Sequence, residues 1–227
     1  MTAARTFEFT PLVDARPVDV AWPTMSWPPP PDAWLTGRYV ELRPFVPERD
    51  AEPLYRMLDH DQVWTHVNGR PAGREDYAAK LLTKIAAGAH PWVVRLRRSY
   101  ASLVEGDVLG TSSFMDVSVR DARLEIGSTL YTPSVWGTAV NPDTKLTLMA
   151  YAFDELTVGR VQLKTDGRNT RSQRAIARLG AAYEGTLRRH QRRADGTVRD
   201  TAMFSVVAEE WPDVRSRLQE RLAAVAS

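Results

Sequence analysis

Six residues, Ser134-Val135-Trp136-Gly137-Thr138-Ala139, join a stretch with strand character to one with helical character. A turn of this kind, with a glycine and small residues ahead of a helix start, can hold a phosphate. Its unpaired N–H groups and the positive helix end converge on one point. Asn141 is the expected N-cap, Pro142 the first helical residue, and Asp143 an acid in the first turn, where the helix dipole favours it. The same six residues also make an ordinary strand-to-helix turn, so the loop alone leaves both readings open.

The elements on either side fix where the turn sits. Arg123 to Tyr131 alternates and is rich in strand formers, whereas Leu146, Met149, Ala150, Phe153 and Leu156 recur at helical spacing and are expected to line one buried face. Upstream, residues 37–44 alternate as a first strand. Residues 47–60 and 73–87 have helical periodicity, and 61–71 form the loop between them. Residues 92–96 and 108–115 read as strands that complete an antiparallel meander with 123–131. Downstream come a strand at 160–165, a short helix at 172–179 stopped by Gly180, and a hairpin of 182–190 and 198–207 turning at Asp195-Gly196. An amphipathic helix follows at 209–225.

Composition narrows the class. The 227 residues suffice for one domain with an appendage, burying roughly 70% of the unfolded surface. There is no cysteine, hence no disulfide framework, thiolate metal site or cysteine nucleophile, which fits a reducing cytoplasm. The histidines, His60, His66, His90 and His190, show neither HxxxH nor HxH spacing, so no metal site is expected. A net charge of +2 argues against a dedicated nucleic-acid binder. No apolar run approaches the roughly 18 to 20 residues of a membrane span, and the N-terminus lacks a basic segment followed by an apolar core. A soluble, cytoplasmic protein without membrane or nucleic-acid partners is expected. Residues 1–34 stand apart as an extended proline- and tryptophan-rich arm. Such an arm is usually a flexible leader, but its tryptophans, Trp22, Trp27 and Trp34, are costly to leave in water, so packing on the domain or on a partner subunit stands equally beside that reading.

Further pieces follow the loop in a fixed order: Asn169-x-x-Ser172, Leu179-Gly180-Ala181 and Glu184-Gly185-x-Leu187-Arg188. Ser134-x-x-Gly137-x-Ala139 resembles the pyrophosphate loop, Gln/Arg-x-x-Gly-x-Gly/Ala, of the GNAT superfamily of acetyl-CoA-dependent N-acetyltransferases. The order of the later pieces is similar to the RimJ/RimL-type branch, whose members acetylate protein N-termini and a range of other amines. The resemblance covers Leu35 to Leu222. It implies an α/β (α+β) fold at 35–227, with a mixed central sheet of about seven strands, a splayed cofactor cleft and flanking helices, and it implies a homodimer.

The resemblance also implies roles. Acetyl-CoA, as acetyl donor, would use the loop residues Ser134, Val135, Trp136, Gly137, Thr138 and Ala139 at its phosphates. Backbone N–H near Leu130 and Tyr131 would face the thioester oxygen, with Asn169, Arg171 and Ser172 as further contacts. Arg168, Arg174 and Arg178 flank the same helix and could reach the 3′-phosphate. Glu125 lies near the position of the general base, and Ser172 near the sulfur. Trp64, His66 and Asn68 fall in the segment that shapes the acceptor pocket. Glu184, Arg188, Arg199 and Asp200 are read as bracing the hairpin. Two departures stand out: Ser134 replaces the loop's reaching side chain, and Ile176 replaces a tyrosine that would reprotonate the leaving thiolate. The implied activity is direct acetyl transfer to a primary amine in a ternary complex, without metal. A protein or peptide N-terminus is the first acceptor considered. A small amine such as an aminoglycoside, polyamine or amino acid is the alternative, and a non-catalytic acyl-CoA sensor stays open.

Overall fold

The computed structural model describes residues 10–11, 13–15, 21–67, 69–99 and 103–225. The alternating stretches pair into one sheet whose strands are β1 (Leu35–Thr36), β2 (Val40–Pro44), β3 (His90–Leu96), β4 (Val108–Ser118), β5 (Arg123–Tyr131), β6 (Arg160–Asp166), β7 (Ala182–Arg192) and β8 (Val198–Val207). Their order is β1-β2-β3-β4-β5-β6-β8-β7, which makes eight strands where about seven were expected. The extra one arises because residues 37–39 do not continue the first strand but turn: Leu35 pairs with Leu42 and Thr36 with Glu41. Every pairing is antiparallel except that of β5 with β6.

Helices cover both faces. On one lie α1 (Pro47–Leu58), the single turn α2 (Asp61–Trp64) inside the expected loop, and α3 (Arg74–Ala86). Their Leu54, Leu58, Tyr77 and Leu81 pack with Phe45, Val93 and Val108. On the other lie α4 (Val140–Ala150) and α6 (Trp211–Ala224), with α5 (Thr170–Ala177) after β6. Leu148, Trp211, Val214 and Leu218 there join Val40, Leu42, Trp92, Phe114, Leu124 and Val161 in the larger core. From the arm, Met25 enters that core and Trp27 packs edge-on against Phe114 and His90, while Trp22 and Trp34 stay exposed.

Three expectations about α4 change. The helix starts two residues early, with Ala139 as its N-cap, so Asn141 and Pro142 lie inside the first turn. Thr138 Oγ1 accepts from Val140 N at 3.3 Å in place of an asparagine cap. Leu146 and Ala150 are only half-buried, and the core face runs through Val140, Thr144, Lys145, Leu148 and Met149, because α4 lies between the sheet and α6 and its covered stripe is wide. Beyond Ala150 the winding loosens to a π-turn, Tyr151–Glu155, which delivers Ala152, Phe153 and then Leu156 to the core.

Asp143 does not serve its own helix end. Its carboxylate accepts the N–H groups of Arg38, Tyr39 and Val40 at 3.1, 2.7 and 3.0 Å, tying the β1–β2 turn to the start of α4. The far hairpin is braced as read: Glu184 takes a two-pronged bond from Arg160 and another from Ser205, and Asp200 accepts from Arg189 N.

Candidate functional site

The parallel pair β5–β6 is short. Arg123 faces Arg160, Leu124 faces Val161 and Glu125 faces Gln162, and there the register ends. β6 continues along β8 to Asp166, whereas β5 keeps to β4 and is buckled at Ser128, which has a left-handed φ of 50°. A gap therefore opens between the second half of β5 and β6. This is the splayed cleft.

Main-chain direction along the gap follows from two bonds. Thr132 N donates to Leu109 O of β4 at 2.9 Å, and the Trp136 indole donates to Tyr131 O at 3.1 Å. Strand alternation then points the N–H and C=O of Tyr131 away from β4, into the gap, and those of Leu130 toward β4. Of the two expected donors, only Tyr131 N–H faces the gap; Leu130 instead turns its side chain to the α3 face. The Tyr131 phenol is buried in the larger core, which raises its pKa and removes it as a proton donor.

The loop after β5 is a 3₁₀ turn, Pro133–Val135, followed by Trp136 to Ala139. Trp136 N is used by Pro133 O, and Thr138 N lies 3.4 Å from Val135 O, so these two amides serve the loop rather than a ligand. The N–H groups of Gly137 and Ala139 have no acceptor among the described residues. Gly137 has a left-handed φ of 80°, and a Cβ there would meet nothing within 4 Å, so the space above it is open. Two free amides at the start of an eleven-residue helix fit a diphosphate. Ser134 is exposed, and Val135 sends its side chain into the core.

Across the mouth of the gap, the Arg171 guanidinium lies over the Trp136 ring, 3.6 Å from its centroid. Asn169 is the N-cap of α5: its Oδ1 accepts Ser172 N at 3.0 Å, which explains the Asn-x-x-Ser spacing as a helix cap. Ser172 is half-buried on the first turn, and Ile176 is buried in the larger core. Arg168 stands 3.9 Å from Asp195, while Arg174 and Arg178 are exposed.

Glu125, the last paired residue before the gap, is buried. Its carboxylate lies back over Gly127, where a Cβ would collide with Oε1. Lys164 Nζ stands 2.6 Å from Oε2 as an ion pair without a well-aligned hydrogen bond. On the α3 face, against the second half of β5, is a cavity of about 320 Å³ lined by Trp64, Tyr77, Lys84, Thr111, Ser128 and Leu130, among others, Glu125 not being one of them. Trp64 is thus at the cavity, with its indole held by Leu58 O, whereas His66 is not among the lining residues. Asn68 lies outside the described residues. A larger open groove, about 810 Å³, lies on the opposite side between β1, α4 and α6, away from the gap.

Two amines missed by the sequence reading bracket the buckle in β5. Lys84 of α3 donates to Ser128 Oγ at 2.6 Å, and Lys145 of α4 donates to Thr129 Oγ1 at 2.6 Å and Ser112 Oγ at 3.0 Å. Burial lowers the pKa of both, that of Lys145 to about 7 against an opposing pull from Glu125. A lysine within an apolar helical stripe gives no warning of this in sequence.

A two-halved sheet with an unpaired β5 edge and free amides at a helix start defines an acyltransferase-type architecture. Residues 40–182 match the acetyltransferase (GNAT) domain, and the chain belongs to that family, whose members generally carry out acetyl-CoA-dependent N-acetylation. Among relatives, the uncharacterized N-acetyltransferase p20 of Bacillus licheniformis is 30% identical over 105 residues, 46% of this chain and 58% of that protein. A GCN5-related N-acetyltransferase structure from Brucella melitensis superposes with a TM-score of 0.78 at 27% identity, covering 88% of this chain and 89% of that one. Mycobacterium smegmatis RimJ, solved in complex with CoA-disulfide, shares the fold with a TM-score of 0.68 at 23% identity, covering 84% and 95%.

Proposed function

We propose that the chain acetylates a primary amine directly, in a ternary complex, with the amine entering from the α3 face beside Glu125. The observation that carries this is the end of β5–β6 pairing at Glu125–Gln162, which leaves the Tyr131 main chain facing an open gap. Acetyl-CoA, when bound, supplies the thioester carbonyl. Gly137 and Ala139 offer free amides for its diphosphate, reinforced by the dipole of α4. Tyr131 N–H donates toward the carbonyl oxygen, a contact worth about 10² to 10³ in rate in comparable sites. Glu125 takes the amine proton, and Lys164 fixes the carboxylate in place.

Ser172 orients a water or the sulfur. With Ile176 sealed in the core, no side-chain acid stands at its position. A thiol with a pKa near 8.5, by analogy with cysteine, leaves readily as thiolate at neutral pH. The acceptor read here is an α-amino group, whose pKa of about 7.7 to 8.0 requires little help to become neutral, in keeping with the motif order of the RimJ/RimL-type branch.

Calorimetric titration with acetyl-CoA tests the reading. Binding by the unmodified protein is expected, with loss in Gly137→Asp, whose carboxylate would occupy the open space over the loop. Retained binding in that variant would move the phosphate site elsewhere, and a bound donor with no CoA release to any amine would favour the sensor reading.

A further inference from the structure

The cavity on the α3 face, walled on its β5 side by Ser128 and Leu130, has a one-sided charge. Its lining holds two lysines, Lys80 and Lys84, and no carboxylate. Lys80 is paired with Asp76, one helical turn away. Among the described residues Lys84 has only the Ser128 hydroxyl, and the burial that depresses its basicity is opposed by no anion there. The other walls are apolar or aromatic: Trp64, Val67, Leu81 and Leu130. Tyr77 also lines the cavity with a buried hydroxyl that has no partner among the described residues. A half-buried amine held by one hydroxyl and a buried phenol with no partner among the described residues, both on one small cavity, form a site suited to an anion.

We infer that this cavity binds the acetyl acceptor and that the acceptor carries a carboxylate, received by Lys84 and Tyr77 while its amine faces Glu125. The inference rests on the acetyltransferase reading for the fate of the amine, though not for the carboxylate. Glu125 does not itself line the cavity; its carboxylate lies back over Gly127, next to Ser128 of the cavity wall, so the acceptor's amine has to extend from the cavity along β5 to meet it. At about 320 Å³ the cavity is at the small end of ligand sites, which suits a compact acceptor or the first residue of an acidic peptide. The left-handed φ of Ser128 keeps its hydroxyl on the Lys84 side, fixing the ammonium at the cavity wall.

The test compares the unmodified protein with K84M and K84R. The probes are L-aspartate, its neutral counterpart L-asparaginamide, the peptide Asp-Ala-Ala-amide, and N-acetyl-L-aspartate, which has the acid but no free amine. Calorimetry without acetyl donor should show N-acetyl-L-aspartate binding to the unmodified protein and K84R, and at least tenfold weaker binding to K84M. In CoA-release assays, K84M should raise KM for L-aspartate at least tenfold more than KM for L-asparaginamide, with kcat changed less than KM. Preference for the peptide over the free amino acid would assign the carboxylate to the side chain of a peptide's first residue, and the reverse to a free amino acid. Equal use of acidic and neutral acceptors, or equal loss on both in K84M, overturns the inference. Failure to bind acetyl-CoA overturns the acetyltransferase reading alone, since the donor-free titration still reports on Lys84.

Discussion

Lys145 Nζ donates to Thr129 Oγ1 at 2.6 Å, holding the second half of β5 from beneath with an amine that no solvent reaches. The tie fixes the strand edge on which Tyr131 faces the gap. Its cost shows in the pKa, about 7 in the fold against 10.5 unperturbed. Between those values the unfolded chain binds the extra proton, so stability rises with pH from about 7 toward 10. Lys84 shifts in the same direction and adds to the slope. Urea unfolding at pH 7 and pH 9.5 should show the unmodified protein more stable at the higher pH, with a smaller difference in K145M. At pH 7, K145M should be within about 1 kcal/mol of the unmodified protein, because replacing a buried charge by a packed apolar chain is often neutral. An unchanged slope in K145M would place its source elsewhere.

His90 titrates on the acid side. Its ring packs 4.7 Å from Trp92 and 6.1 Å from Trp27, its Nε2 lacks a partner, and burial lowers its pKa to about 4 from 6.5. The folded value is below the unfolded one, so this contribution is complete above pH 6.5 and is lost as pH falls toward 4. The loss can reach about 3 kcal/mol at 1.36 kcal/mol per unit. Asp50, with its pKa lowered by the Arg49 and Arg95 bonds and by Val46 N against its own burial, gives way only below its ordinary range and is separable. Denaturant titrations at pH 7 and 4.5 should show a smaller acid loss in H90F. An identical loss in both proteins would refute the assignment.

Gly37 and Asp143 are coupled by contact. A Cβ on Gly37 would lie 2.5 Å from Asp143 Oδ2 and 2.7 Å from Thr147 Oγ1, displacing the carboxylate from three backbone amides. D143A strands those amides and should cost at least about 3 kcal/mol, given 1 to 3 kcal/mol for each buried group left unsatisfied. D143N should cost less, since it keeps one acceptor oxygen, and G37A should fall between them. Thermal melts of the three variants give the ranking, and G37A matching the unmodified protein would show that the turn has room to move.

Much of this fold was legible because its elements carry strong local patterns. β5 and β8 have the bounds that alternation predicts, and α1 and α3 end within two residues of expectation. The start of α4 was misplaced because Asn141-Pro142 is a strong cap signal, yet Thr138 Oγ1 accepts Val140 N here while the Asp143 carboxylate is taken by the N–H groups of Arg38, Tyr39 and Val40. At the loop, Gly137 stood out by its spacing, while Glu125 entered only through the resemblance. Lys84, Lys145, Lys164 and Tyr77 could not, because their roles depend on which strand faces each of them, and a single sequence carries no record of that. Leu130 and Tyr131 were both expected as donors for the same reason: the direction of an N–H is set by register, not by residue type.

The Trp136–Arg171 stack should matter for donor binding. The indole is held by Tyr131 O and the guanidinium covers it at 3.6 Å, so the pair joins the phosphate loop to α5 across the mouth of the gap. Removing Arg171 takes away both a cation beside the diphosphate site and the rigidity of the ring. R171A should weaken acetyl-CoA binding about tenfold by calorimetry, within the range of a cation–π contact plus one charge. R171K should recover little, because an ammonium lacks the flat face that stacks. Unchanged or tighter binding in R171A would mean that the stack closes the gap rather than serving the donor.

Glu125 and Lys164 provide the sharpest test of the chemistry. If Glu125 removes the amine proton, E125Q should lower kcat by about 10² to 10³, within the usual range for a positioned general base, while acetyl-CoA affinity stays within twofold. The amide keeps the shape over Gly127, so the protein should fold and melt normally. K164M leaves the buried carboxylate without its 2.6 Å partner and should destabilise the fold. The acidic limb of the rate profile should flatten in E125Q. A profile of the same shape in E125Q and the unmodified protein would make Glu125 a brace for Lys164 and send the search for the base to a water held in the gap.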